Sequence, residues 1–119
     1  ISLPRMRPAA SGYIPAPENI PNDRETVQVM CALRMFMPRL AIVVSTRESR
    51  KFRDGIMGLG VTQMSAFSST KPGGYADRKE SGEQFHIDDP RTPEEFAAAL
   101  RARGIDPVWK DYDCALGDD

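Results

Sequence analysis

Between residues 23 and 66 the sequence switches repeatedly between a helical period and continuous β-branched runs, with connections of only a few residues. Asn22 offers an N-cap with Glu25 three positions on, and Val27, Met30, Cys31, Leu33, Arg34 and Met37 recur at helical spacing until Pro38. This predicts a helix from about Asp23 to Met37. Leu40 to Ser45 reads Leu-Ala-Ile-Val-Val-Ser, apolar without polar alternation, as expected of a buried parallel strand. Glu48 to Met57 carries charge on one side and Phe52, Ile56 and Met57 on the other, and Gly58 and Gly60 close it as a short helix. Val61 to Ala66 is a second expected strand. Helix, strand, helix, strand with short links argues for an α/β fold built on a parallel sheet.

The flanks extend this pattern. Ile1 to Arg7 begins apolar and is cut by Pro4, which suits a strand end entering a loop. Pro8, Pro15, Pro17 and Pro21 mark residues 8–21 as loop. Phe67 to Asp89 is long, polar and glycine-bearing, a length that usually signals a functional or a disordered loop, with function favoured. Thr92, Pro93 and Glu95 form a capping box with proline at the first helical position, and Phe96, Ala99, Leu100 and Gly104 supply a face and a stop. Ile105 to Trp109 is expected to add a short strand. With 119 residues, 40% of them hydrophobic, one modest core is the ceiling. The chain starts at Ile1 rather than Met, in what reads as mid-element, so it is expected to be one domain, residues 1–119, of a longer protein.

Charge excludes some functions. Lys and Arg total 16 against 17 for Asp and Glu, so no long-range field gathers a polyanion, and nucleic acid is not an expected partner. No stretch approaches the roughly 20 apolar residues of a membrane helix, and no signal peptide is evident, so a cytoplasmic chain with no membrane partner is expected. Cys31 and Cys114 lie far apart with no metal-ligand spacing around them. Cys31, inside the first helical run, is expected to be a small buried hydrophobe.

Ligands of parallel α/β sheets bind at the carboxyl ends of strands. Ser45, Thr46, Arg47 and Glu48 follow the first strand directly, and Ser65, Ser68, Ser69 and Thr70 close the second. A guanidinium there can hold a carboxylate by two parallel hydrogen bonds, and hydroxyls can donate to the same anion. A small anionic or zwitterionic ligand fits. The alternative without function is that Ser45 and Thr46 cap the next helix while Arg47 pairs with Glu48 or Asp54 on the surface. Lys71 to Tyr75 lacks the spacing of a phosphate loop, and His86 has no nucleophile motif around it, so a turn and a solvated residue are expected there.

Seven segments carry a resemblance in order along nearly the whole chain: Ser2-Leu-Pro-Arg-Met-Arg-Pro8, Ser45-Thr-Arg-Glu-Ser49, Phe52-Arg-Asp54, Ser65-Ala-Phe-Ser68, Lys71-Pro-Gly-Gly-Tyr-Ala-Asp77, Glu83-Gln-Phe85 and Val108-Trp-Lys-Asp111. Together they resemble the carboxy-terminal third of the radical S-adenosylmethionine (SAM) tyrosine lyases of thiamine thiazole biosynthesis, the 2-iminoacetate synthases. The region is similar to the domain shared by biotin and thiamine synthesis enzymes, and more distantly to the tyrosine-cleaving maturase of iron-only hydrogenase.

The resemblance implies the last βα units of a partial (β/α) TIM-type barrel. It also implies an activity: a 5'-deoxyadenosyl radical from SAM abstracts hydrogen from tyrosine, whose Cα–Cβ bond breaks to give 2-iminoacetate (dehydroglycine) and p-cresol. It implies tyrosine as substrate, thiazole synthase as a partner, and SAM and a [4Fe-4S] cluster as cofactors of the full-length protein. By position it makes Arg47 the grip on the amino-acid carboxylate with Ser65 helping, Thr46 and Glu48 nearby candidates, and Arg5 a contact to SAM or part of the cavity lining. The cysteine triplet that holds the family's cluster is absent, so this segment is expected to bind no cofactor and to be inactive alone. Two other readings remain open: a non-catalytic module that binds an amino acid or docks a partner, and a fragment of the hydrogenase-maturase lyase.

Overall fold

The two helices with capping boxes form where short-range signals place them. A computed structural model describes residues 1–7, 12–67 and 87–109. Helix α1 spans Asp23–Phe36. The Asn22 side chain accepts from the Glu25 N–H while Glu25 accepts from the Asn22 N–H, a full capping box that satisfies two otherwise orphaned donors. A short 3-10 turn at Pro17–Asn19 precedes it. Strand β1, Val43–Val44, and strand β2, Gln63–Met64, are parallel neighbours, Val43 opposite Gln63 and Val44 opposite Met64. Helix α2, Arg50–Ile56, is the crossover between them. Helix α3, Pro93–Arg101, starts from the expected Thr92–Glu95 capping box with Pro93 in its first turn.

The first residues join the same sheet. Ser2 bridges Val43 in parallel and the Val43 N–H donates to the Ile1 carbonyl at 2.9 Å. Three parallel segments therefore lie in the order Ser2, β1, β2. All three run toward the same edge, as the expected parallel α/β fold requires.

The core sits between this sheet and α1 and α2. Met30, Ile42, Val44, Phe52 and Ile56 are buried together, with Leu3, Val27 and Leu33 packed against them. From residue 42 to residue 49 burial alternates strictly: Ile42, Val44, Thr46 and Glu48 are buried, whereas Val43, Ser45, Arg47 and Ser49 are half-buried. The apolar run was expected to be buried on both faces. Here helices cover one face and leave the other open, although Val43 on that face is as apolar as its neighbours.

Some expectations are corrected. Cys31 is exposed rather than buried, because the buried stripe of α1 is Thr26 and Met30 and position 31 falls about 100° further round the helix. The second helix starts later than Glu48, since Ser49 is its N-cap, accepting from the Phe52 N–H at 3.2 Å. Residues 105–109 form no strand. The sites considered at Lys71–Tyr75, His86 and Cys114 lie outside the described residues.

Candidate functional site

Parallel direction brings the ends of three segments together on one edge. Arg5 and Arg7 leave the first, Ser45 to Glu48 leave β1, and Ser65 and Ala66 leave β2. The last ladder bond runs from the Ser65 N–H to the Val44 carbonyl at 3.1 Å, so Ser65 stands beside the β1 end. Arg47 follows in a turn held by its own N–H on Ser45 Oγ at 3.4 Å and by the Glu48 N–H on the Ser45 carbonyl at 3.3 Å. Ser45 and Thr46 do not cap α2, whose N-cap is Ser49. The open face carries a trough of about 990 Å³ along β2 toward α3, lined by Ala41, Val43, Gln63, Ser65, Phe96 and Leu100 among others.

Glu48 and Arg5 turn toward each other. The buried Glu48 carboxylate accepts from Arg5 Nε at 3.0 Å, from Arg5 Nη2, and from Arg7 Nη2 at 3.1 Å. Arg5 Nη1 also donates to the Pro21 carbonyl at 3.2 Å and to Asp23 Oδ1 at 2.8 Å. With four of its five N–H groups engaged and its guanidinium 4.5 Å over the Phe52 ring, Arg5 ties the first strand to α1 and to the β1 end. The hydrogen bond to Glu48 raises its pKa above the ordinary arginine value. Arg7 continues the chain to Asp88 at 3.4 Å, and its Nε is buried with no hydrogen-bond partner. Glu48 and Arg5 are thus each other's partners, and either would have to give up such bonds to touch a ligand.

Thr46 is buried and contributes its carbonyl, which accepts from the Asp88 N–H at 3.1 Å and the Asp89 N–H at 3.3 Å. Asp89 begins a second buried network that the sequence reading did not single out. Arg91 reaches its two oxygens in a fork, Nε to Oδ1 at 2.8 Å and Nη2 to Oδ2 at 2.6 Å. Arg53 Nη1 meets Oδ2 at 2.7 Å, and Arg53 Nη2 donates to the Ser65 carbonyl. Arg91 Nη1 extends the network to Asp54 at 2.7 Å.

Both guanidiniums lie over the Phe96 ring, at 4.5 Å for Arg53 and 4.9 Å for Arg91. Burial lowers the Arg53 pKa despite Asp89 beside it, and leaves Arg53 Nε unpartnered. Burial pushes the Asp89 carboxyl up, but the bonds from Arg91 and the charge of Arg53 outweigh it and hold the carboxyl below the ordinary range. Arg91 is raised by its bond to Asp89. The adjacency Asp88-Asp89-Pro90-Arg91 just before a capping box was the one available sequence signal for this cluster.

Among the described residues no group of three or more His, Cys, Asp and Glu side chains is placed to hold a metal ion, and Cys31 is the one cysteine among them, so these residues do not fit an iron-sulfur cluster. No helix among them is long and apolar enough to cross a membrane.

Comparison with known proteins gives the chain a family. The chain is 49% identical over 117 residues to 2-iminoacetate synthase of Escherichia coli and 46% identical over 117 residues to that of Salmonella typhimurium, covering 98% of this chain and 30% of each relative. It superposes on a crystal structure of HydG, a maturase of the [FeFe]-hydrogenase, with a TM-score of 0.81 at 34% identity, over 92% of this chain and 23% of that one. Residues 2–106 match the family described as the Biotin and Thiamin Synthesis associated domain, and they include all three strand segments and the candidate residues Arg5, Thr46, Arg47, Glu48 and Ser65. This chain belongs to the family of Biotin and Thiamin Synthesis associated domains.

Proposed function

We propose that this chain is the carboxy-terminal, substrate-side part of a radical SAM tyrosine lyase, a 2-iminoacetate synthase that supplies 2-iminoacetate for the thiamine thiazole and releases p-cresol. The observation that carries the reading is the placement of Arg47 and Ser65 at the ends of adjacent parallel strands, in a chain 49% identical over nearly its whole length to such a synthase. Higher identity to the synthases than to the maturase favours the thiamine branch.

In this reading Arg47 grips the carboxylate of tyrosine and the Ser65 hydroxyl donates to it. Thr46 contributes through the turn it anchors, while Glu48 and Arg5 hold that turn in place. The open sheet face and the trough beside β2 form a wall completed by the remainder of the longer protein, as the last units of a (β/α) barrel. SAM and a [4Fe-4S] cluster held elsewhere in that protein would supply the radical chemistry. Thiazole synthase is the expected recipient of the unstable imine.

The test is anaerobic reconstitution of the full-length protein with iron and sulfide, followed by an assay for p-cresol from tyrosine, SAM and a reductant. Production of p-cresol that requires tyrosine is the expected outcome. A reconstituted cluster with no p-cresol would sink the lyase reading and favour an amino-acid-binding module.

A further inference from the structure

Beyond Ser65 the β1–β2 ladder ends, yet the residues assigned to the ligand lie at and past that point. Something else must set the spacing of the two strand ends. Among the described residues a chain of bonds links the two ends. The Thr46 carbonyl accepts from the Asp88 and Asp89 N–H groups, the Asp89 carboxylate takes Arg53 Nη1, and Arg53 Nη2 donates to the Ser65 carbonyl. Asp89 is 0% exposed and Arg53 1%, so these charge-assisted bonds are shielded from water and are hard to exchange for solvent. The planar fork of Arg53 meets two acceptors at once, which a lysine ammonium on a flexible stem cannot do with the same geometry.

We infer that Asp89 and Arg53 are positioning residues that set the separation of Arg47 and Ser65 and so tune affinity for the amino-acid substrate. The inference rests on the reading of Arg47 and Ser65 as the carboxylate-binding pair. It also separates two halves of the buried network. The Arg53 half reaches a strand end, whereas the Arg91–Asp54 bond ties the 87–91 segment to α2 and touches neither end.

The experiment compares Arg53→Lys with Asp54→Asn in the full-length lyase. Arg53→Lys is expected to raise KM for tyrosine about tenfold or more with kcat changed less than about twofold, the pattern of lost binding rather than lost chemistry. Asp54→Asn is expected to lower the melting temperature while leaving KM for tyrosine at the wild-type value. A wild-type KM in Arg53→Lys, or an equal rise in Asp54→Asn, overturns the inference, because loss of stability alone would then explain the data. If Arg53→Lys does not accumulate as folded protein, Asp88→Pro removes one N–H from the Thr46 carbonyl and is judged by the same KM criterion.

Amide exchange across residues 45–48 gives a readout without catalysis. Arg53→Lys should speed it about tenfold or more while Asp54→Asn does not, and equal rates in the two variants overturn the inference. Failure of the wild-type enzyme to make p-cresol would count against the lyase reading, and the exchange comparison would still decide the clamp.

Discussion

Arg47 lies in a turn whose backbone is held by Ser45, so under the proposed function loss of its side chain should remove the carboxylate contact while these backbone bonds remain. Arg47→Ala in the full-length enzyme should weaken tyrosine binding by about 2–5 kcal/mol, read by equilibrium binding. Glu48 predicts the opposite pattern. Glu48→Gln would leave Arg5 and Arg7 facing a neutral amide in a buried site, and urea unfolding should report a loss of about 3 kcal/mol, as for broken buried pairs. Asp89 predicts a dependence on pH. It releases its proton more readily folded than unfolded, so the native state gains stability above the ordinary aspartate value of 3.8 and loses it as pH falls through the lower folded value. The urea midpoint of Asp89→Asn should lie well below wild type at about pH 6, and the gap should close below about pH 4.

The helices owe their boundaries to caps that are readable from sequence, and both capping boxes form at the expected positions. Thr92→Ala should cost about 1 kcal/mol in chemical unfolding, the usual effect of losing such a cap. A subtler element boundary is Gly60, which enters β2 with φ +95°, and a Cβ there would stand 3.3 Å from the Arg34 side chain. Arg34 is held in place by the Pro38 carbonyl at 2.7 Å and the Gly60 carbonyl at 2.6 Å, so it cannot move away without losing both bonds. Gly60→Ala should therefore destabilise by at least roughly 1–2 kcal/mol, the cost of a left-handed alanine, in the same unfolding assay. The Asn22 and Thr92 caps and the glycine stops at Gly58, Gly60 and Gly104 were legible because each depends on residues within one turn of chain.

At the scale of the molecule, the helices cover one face of the sheet and leave Val43 and the trough along β2 on the other. Large apolar side chains are exposed elsewhere too, with Met35 and Phe36 at 82% and 84% at the end of α1 and Val108 at 78%. Exposed apolar surface favours association. Residues 1–119 prepared as an isolated chain should self-associate in sedimentation velocity, and Val43→Lys should shift the distribution toward monomer, since it adds charge to the open face and leaves the helix-side core in place. A distribution unmoved by Val43→Lys would place the association on another surface.

The helix–strand–helix–strand order of residues 23–66, the capping boxes and the polar strand ends were determined by the sequence alone, because periodicity, capping and the short crossover act over a few residues, whereas the strand expected at 105–109 did not form. The sequence also marked Arg47 and Ser65 as strand-end residues. Tertiary structure decided which charges meet. Arg53 and Asp89 are 36 residues apart, Arg5 and Glu48 are 43 apart, and apart from the Asp88–Arg91 adjacency nothing local distinguishes them from surface charges. Burying such groups is favourable only when packing delivers a partner in hydrogen-bonding geometry, and that geometry comes from the order of the strands and the crossing of α2 over them. The same packing turned Cys31 outward and Glu48 inward, by choosing which stripe of α1 and which face of β1 the helices would cover.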